Sequence, residues 1–553
     1  MGDSEAKRFE AARADRQRHV DAVLKSKSRN RIVVAGPGTG KTFLFKEVLR
    51  GKSSSLTLTF VNSLVEDLSL ELCGLSDVRT LHSFARSVMS KTKGGARVYP
   101  KLSKIIARDL QLLSGEAIDF DSIFHKRDDR SPHIDAYKLR KATYGYYGFA
   151  DMIYAAVRYL EENPQRIPAY DQVLVDEFQD FNQLEVSLID LLAAKSPILI
   201  AGDDDQALYF FKDASHRHIR ERYSEANIEY ESFNLPHCSR CTRAIVEAAN
   251  DIVASAQKEG FLVGRISKPY IFFEDERKEL ECSRYPKLQH VKCFSNQVPY
   301  FIEVQIRQLA QDRREKFSTL VIAPTKSRCR TIVRGLQQRG FKNVQYFEQQ
   351  DTQNPSLLDA LGLLSLDAQC NLGWRIAAEY FLSEDDLKSL LQKAESDKTK
   401  SLGNMLGDAV RKKTKELLKT FKKVAKGKPV SPEDSDELTA HIGIDPRALA
   451  REELRLKISR AEFGLGEPAT RNIPIRVTTI PSSKGLADDY VFITDFDDRF
   501  YLAKGGQCSD QKIFDFLVAL TRARRCIYLI SAEKKDPKFL TWIAPDRVDR
   551  IEL

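Results

Sequence analysis

Apolar residues in this chain gather in short β-prone runs, and polar stretches of helical period follow many of them. Arg31–Val34, Leu56–Phe60, Gln172–Val175 and Pro197–Ala201 are such runs in the first half. Ser318–Ala323, Asn343–Tyr346, Ile475–Ile480, Tyr490–Thr494 and Cys526–Ile530 are such runs in the second. Phe43–Leu49 and Arg243–Ala254 read as helices, residues 5–25 as a polar helix, and Val78–Phe84 continues the alternation. Strand followed by helix, repeated, predicts an α/β chain with two parallel sheets and helices on their faces. Residues 86–168 and about 375–470 break the rhythm; both are hydrophilic and helical in pattern, and they predict insertions into the two sheets.

Chemistry concentrates where the runs end. Arg31–Val34 leads into Ala-Gly-Pro-Gly-Thr-Gly-Lys-Thr, and Lys41 and Thr42 open the next helix. That is a phosphate-loop pattern with Ala35 in place of its usual first glycine. Gly36, Gly38 and Gly40 let backbone N–H groups face a polyphosphate. The following helix aims its positive end at the same anion. Lys41 has the reach for β- and γ-phosphates, and the Thr42 hydroxyl suits Mg²⁺. The run Gln172–Val175 delivers Asp176 and Glu177, a pair suited to holding the metal and to deprotonating an attacking water. After Pro197–Ala201, Gln206 is placed to sense the γ-phosphate, and Tyr209, Phe210 and Phe211 follow it. Aromatics there suit either base stacking or a core. Gln17 has the donor and acceptor that an adenine edge requires.

Length and charge narrow the class. A chain of 553 residues implies about three or four domains. A net charge of +9 and a pI near 8.9 suit a polyanionic partner. Lys138, Arg140 and Lys141 lie among Tyr144, Tyr146, Tyr147 and Phe149, and Arg411–Lys415 through Lys419, Lys422, Lys423, Lys426 and Lys428 is the densest basic stretch. A solvated helix face or a DNA-binding arm explains that stretch. No apolar leader and no run of about eighteen apolar residues occurs, so no membrane partner is expected. Nine scattered cysteines suit reduced thiols in a cytoplasm. Cys238 and Cys241 form a CxxC, but with Cys282 and Cys293 they match no standard metal spacing.

The ordered segments AGPGTGKT, LTFVN, TLHSF, DEFQD, GDDDQALYFF, LPHCSRC, TTIPSSKGL and VALTRA resemble the motifs of superfamily 1A DNA helicases, the UvrD/Rep/PcrA group. The resemblance implies two RecA-like domains. The first is built from 1–85 and 169–235 around insertion 86–168, and the second from 236–374 and 471–553 around a reduced insertion 375–470. It implies ATP and Mg²⁺ as ligands, and 3′→5′ movement on single-stranded or partly duplex DNA. Thr39 and Gly485 join the nucleotide-binding positions, and Arg240 and Arg522 match the arginines that the second domain presents to the γ-phosphate. Phe60, Asn62, His82, Phe84, Tyr209 and Phe211 match DNA-contacting positions; Thr479 and Ser483 lie where the family touches strand and nucleotide. Departures fall on the base and ribose side. Ser239 replaces an adenine-stacking tyrosine and Cys238 the asparagine before it, Ala487 replaces a glutamate, and Pro481 a histidine. Compact relatives act as motor subunits beside a nuclease or other effector in DNA repair or anti-phage defence. An ATP-gated DNA sensor that licenses such a partner is the alternative, and RNA a less expected track.

Overall fold

The apolar runs pair laterally, and each ladder between them is parallel. The computed structural model describes all residues except 1–2, 61, 93–94, 211–212, 313–315, 348–353, 398–400, 444–473, 504 and 553. Strands β1 (Asn30–Ala35), β2 (Ser55–Thr59), β3 (Asp77–Thr80), β4 (Gln172–Val175), β5 (Ile198–Gly202) and β6 (Glu231–Leu235) form one sheet in the order β3-β2-β4-β5-β1-β6. A short parallel pair, β7 (His237–Cys238) and β8 (Ile271–Phe272), follows. Strands β9 (Leu288–Lys292), β10 (Thr319–Ile322), β11 (Val344–Tyr346), β12 (Ile475–Thr478), β13 (Asp488–Ile493), β14 (Ala523–Ser531) and β15 (Val548–Glu552) make the second sheet, ordered β11-β12-β10-β13-β14-β9-β15.

Strands β2, β4 and β5 are buried at every position, as expected of parallel strands covered on both faces. Val33, Leu44, Phe45, Leu174 and Leu199 belong to the core on one face of the first sheet. The second sheet separates two cores, one around Ile245, Ile322, Ile493 and Phe514, the other around Phe301, Val321, Phe492 and Tyr528. In the first sheet β1 lies between β5 and β6, and β4 lies beside β5. The C-terminal ends of β1, β4 and β5 therefore open side by side, where ligands of open α/β sheets bind.

The chain divides into two compact units: Met1–Phe84 with Tyr159–Gln349 and Thr470–Leu553, and Ala85–Arg158 with Gln350–Ala469. The first contains both sheets. The second is built from helices, and a buried ion pair joins its two segments. The Arg375 guanidinium, fully buried, donates to Asp109 at 2.6 Å, and the Tyr144 hydroxyl donates to the same carboxylate. Tyr144 and Tyr146 are core residues of this unit, Phe149 is exposed, and the Lys141 ammonium lies 3.6 Å from the Tyr147 ring centre. The basic stretch forms the helix Asp408–Ala425, which buries Thr414, Leu417 and Leu418 and leaves Lys412, Lys415 and Lys419 exposed. That is an amphipathic helix with a solvated basic face. The part of the second insertion from 444 onward lies outside the described residues. Among the described residues no helix is long and apolar enough to cross a membrane.

Candidate nucleotide site

The loop after β1 is held open by glycine. Gly38 and Gly40 have φ of 72° and 97°, in the left-handed region that side chains disfavour. At Gly38 a second constraint applies, because a Cβ there would overlap the Cβ of Arg240. The arginine expected from the second half thus lies directly on the phosphate loop. Ser239 fixes it there, since its N–H and its hydroxyl both donate to the Gly38 carbonyl, at 3.0 and 3.3 Å. Thr39 closes the loop by donating its hydroxyl to the Gly36 carbonyl at 2.9 Å. Lys41 and Thr42 begin the helix Lys41–Leu49, whose first N–H groups face the loop.

Asp176 and Glu177 stand at the end of β4, beside the loop. Glu177 has a φ of 54°, a strained value for a non-glycine residue and of the kind that gathers at functional sites. Its oxygens are divided between cations and an amide. Lys41 Nζ is 2.9 Å from Oε1, Gln179 Nε2 donates to Oε2 at 2.6 Å, and Lys484 Nζ lies 3.4 Å from Oε2. Burial alone would raise the Glu177 pKa, but Lys41 and Lys484 outweigh it and hold the carboxyl well below its ordinary range. The same carboxylates raise the pKa of buried Lys41 against its desolvation. Asp176 behaves oppositely: burial pushes it up to about 6, against the pull of Lys41. Its Oδ1 is buried with no hydrogen-bond partner and lies 4.0 Å from Lys41 Nζ. A buried carboxylate oxygen without a hydrogen bond, at the end of β4 beside the phosphate-loop lysine, fits a hard divalent cation such as Mg²⁺.

Gln206 connects the two halves. Its amide nitrogen donates to Asp203 at 2.7 Å, and its amide oxygen accepts from Arg522 at 3.2 Å. Arg522 also donates to the carbonyls of Val518 at 3.0 Å and Leu486 at 3.1 Å. Burial, and then the neighbouring Arg240, lower its pKa to about 10. Arg522 precedes β14 and Lys484 precedes β13, and these strands are neighbours. The second sheet therefore offers the N-terminal ends of two strands to the C-terminal ends of the first sheet's strands.

Several of these residues escape a motif-by-motif reading. Lys484, only 3% exposed, is ion-paired with Asp180 and donates to the Gln206 carbonyl at 2.7 Å. It lies within the SSKGL segment that the sequence highlights, so the signal was present but unassigned. Lys268 is buried among Asp203, Asp204 and Asp205 at 2.6, 2.5 and 2.9 Å, and Arg265 binds Asp205 at 2.8 Å. With Arg220 on Asp204 at 2.9 Å, the three acids face three cations and the cluster is internally neutralised. Tyr270 covers the loop, with its ring 2.9 Å from where a Gly36 Cβ would stand. No local pattern announces these contacts.

Other expected residues are placed differently. Gln17 is exposed and donates to Asp21 at 2.7 Å, away from the loop. Its neighbour Arg16 faces inward instead, over the Phe273 ring at 4.9 Å and beside Gly40. One residue along a helix rotates the side chain by about 100°, which accounts for the difference. Gly485 has a φ of 84° and lies just before Leu486, whose carbonyl Arg522 holds. Of the expected DNA contacts, Phe84 and Tyr209 are each 2% exposed and Ser483 is fully buried, so in this conformation all three are packing residues. The Tyr209 and Phe60 rings lie 4.6 Å apart, and Tyr209 packs with Leu208, Ala214 and Val518. Phe60, His82 and Thr479 are half-buried. Phe211 and the side chain of Asn62 lie outside the described residues.

A phosphate loop with acids at neighbouring strand ends, met by arginines from the second half of the chain, is the arrangement of a P-loop nucleotide site between two parallel sheets. The comparisons sharpen the class. Residues 125–227 match the UvrD/REP helicase N-terminal domain. The chain is 26% identical over 255 residues to DNA helicase II of Haemophilus influenzae, a match covering 44% of this chain and 32% of that protein. It is 32% identical over 141 residues to the ATP-dependent DNA helicase srs2 of Schizosaccharomyces pombe, covering 24% of this chain and 15% of that one. It is 29% identical over 129 residues to the exonuclease/helicase subunit RexA of Streptococcus pneumoniae, covering 22% and 11%. The matched region thus spans between 11% and 32% of these relatives. Fold and matches together make the chain similar to UvrD-like DNA helicases of superfamily 1.

Proposed function

We propose that this protein is a DNA-stimulated ATPase that moves along single-stranded DNA in the 3′→5′ direction and separates duplex ahead of it. The observation that carries this reading is the crossing of Arg522 and Lys484 from the second sheet to Gln206 and Glu177 of the first. A site assembled from two halves responds when they separate or close, and that is the requirement for turning hydrolysis into movement. In this reading 1–85 with 169–235 and 236–374 with 471–553 are the two motor domains, and 86–168 and 375–470 are insertions.

The residues divide the chemistry. Backbone N–H groups of Gly36–Gly40 and the Lys41 ammonium bind the β- and γ-phosphates. Asp176 and Thr42 would hold Mg²⁺, which supplies neutralising charge on the phosphate oxygens. Glu177 takes the proton of the attacking water. To do so it must be released from Lys41 and Lys484, which a triphosphate accomplishes by drawing the lysines to itself. Arg240 and Arg522 stabilise the charge that builds on the γ-phosphoryl group, and Gln206, held between Asp203 and Arg522, orients the water.

A second reading, an ATP-gated DNA sensor that licenses a nuclease or other effector in the cytoplasm, is favoured by one feature. Phe84, Tyr209 and Ser483, expected along the DNA track, are enclosed. Hydrolysis measured with and without single-stranded DNA, beside a strand-displacement assay on a 3′-tailed duplex, separates the two. Stimulated hydrolysis with displacement supports the motor, and stimulated hydrolysis without it supports the sensor. Hydrolysis indifferent to DNA overturns both.

A further inference from the structure

Cys238 and Cys241 bracket Arg240, and their sulfurs are fully buried against one another at the start of the helix Arg243–Lys258. The Cys238 sulfur accepts from the Cys241 thiol, from the N–H groups of Arg240 and Cys241, and from the Tyr270 hydroxyl at 3.2 Å. The Tyr270 hydroxyl also faces the Pro37 carbonyl of the phosphate loop at 3.0 Å. The Cys241 sulfur lies 3.8 Å from the carbonyl of Thr521, the residue before Arg522. The dithiol thus reaches the loop through Tyr270, and it contacts the backbone of Arg240 and of Thr521 beside Arg522.

We propose that Cys238 and Cys241 are a thiol-oxidation site, closing to a disulfide that switches the nucleotide site off. The inference rests on the nucleotide site proposed above. A thiol two and three residues before N–H groups that point at it, ahead of a helix, is in the arrangement that makes CxxC thiols reactive. Burial would raise the Cys238 pKa, but the donors from Cys241, Tyr270 and the backbone more than reverse this and bring it to about 6. Cys241 is pushed well up, by its bond to Cys238 first and by burial second, so one thiolate faces one thiol. Tyr270 and Thr521, whose polar atoms hold the pair, also line a small cavity of about 30 Å³ beside Gly36 and Pro37.

The chemistry balances with hydrogen peroxide as co-reactant. The Cys238 thiolate attacks one peroxide oxygen, the O–O bond breaks, and the departing hydroxide takes a proton to leave as water. The Cys238 sulfur is then a sulfenic acid. Cys241 loses its proton, its sulfur attacks the Cys238 sulfur, the S–O bond breaks, and the second oxygen leaves as water. Two thiols and one peroxide become one disulfide and two waters; the sulfurs lose two electrons and the oxygens gain them. Closing the bond removes the Cys241 proton that bridges the two sulfurs and tightens the turn that carries Arg240. Misplacing a catalytic group by about 1 Å costs on the order of a hundredfold in rate.

The test treats the full chain with hydrogen peroxide, alkylates the remaining thiols and digests with trypsin. Cleavage after Arg240 separates the two cysteines, so the disulfide appears as two joined peptides, one ending at Arg240 and one spanning Cys241–Arg243. ATP hydrolysis should fall at least about tenfold as that species forms and return with dithiothreitol. Cys241→Ser, or Cys241→Ala should the buried hydroxyl disturb folding, should yield no joined peptides and keep its hydrolysis under peroxide. The proposal is overturned by absence of the joined peptides, by their formation with unchanged hydrolysis, or by equal loss in the Cys241 variants. The peptides are read without nucleotide. Their appearance in a chain that never hydrolyses ATP would sink the proposed function and the switch, while leaving the dithiol chemistry standing.

Discussion

Glu177 shows how much of the site depends on one side chain held between opposite demands. Its strained backbone aims the carboxylate into the cleft, and Lys41 and Lys484 keep it ionised. Glu177→Gln keeps the shape and a hydrogen-bond acceptor but cannot take a proton. Nucleotide and DNA binding should persist while turnover drops by about 10²–10⁴-fold. Lys41→Ala should lose nucleotide affinity as well, because the phosphates lose their cation. Binding of a fluorescent nucleotide beside steady-state hydrolysis reads both effects, and normal turnover in Glu177→Gln would remove Glu177 from the base role. Lys41, Asp176, Glu177 and Gln206 were legible because each sits in a contiguous string at a strand end. Lys484, Lys268 and Tyr270 were not, because their partners lie far off in sequence and only the fold joins them. Gln17 was selected by chemistry alone, and its helix phase turns it to solvent while Arg16 faces the loop.

At the scale of elements, β2, β4, β5, β10 and β14 were read from sequence because they are buried and form apolar runs, and edge strand β11 was read from Val344 and Tyr346. β6 and β15 escaped that reading. They are the edges of their sheets, with mostly exposed or half-buried positions carrying Glu231, Asp549, Arg550 and Glu552. Edge strands use charge to avoid pairing with other chains, and charge erases the apolar signal. β9, one place inside the edge, mixes Gln289, His290 and Lys292 with its apolar residues and escaped for the same reason. His290 leaves a measurable trace. It is 1% exposed and bonded to Ser531 at 2.8 Å. Burial lowers its pKa to about 4, with Arg550 and Lys292 adding to the effect and Asp536 opposing it. The folded chain holds it neutral, whereas the unfolded chain protonates it near pH 6.5. Its contribution is therefore complete above about pH 6.5 and is lost as pH falls toward 4. The urea midpoint should drop between pH 7 and pH 5, and His290→Gln should flatten part of that drop. His216, also lowered to about 4 by burial, supplies a further part.

The whole molecule distributes recognition unevenly between its halves. In the proposed site both sides supply phosphate-facing groups: the loop, acids and Gln206 come from the first half, Arg240 and Arg522 from the second. Base recognition is a different matter. Where the resemblance places a stacking tyrosine, Ser239 turns its N–H and hydroxyl onto the Gly38 carbonyl. Where it places an asparagine, Cys238 is fully buried and bonded to Tyr270. Ser239 thereby ties the second half to the phosphate loop, Cys238 packs within its own half, and neither presents a ring or an amide to a base. Sites that read a base through buried hydrogen bonds discriminate by about 10⁴–10⁵-fold, because the wrong base leaves polar groups unpaired; shape and apolar contact alone give about a hundredfold. The ratio of kcat/KM for ATP over GTP, and over CTP, should therefore stay within about a hundredfold. Hydrolysis assayed with each nucleotide at saturating single-stranded DNA measures it. A preference for ATP on the order of 10⁴ would mean that hydrogen-bonding groups elsewhere grip the base, and that the replacements at Cys238 and Ser239 leave base selection untouched.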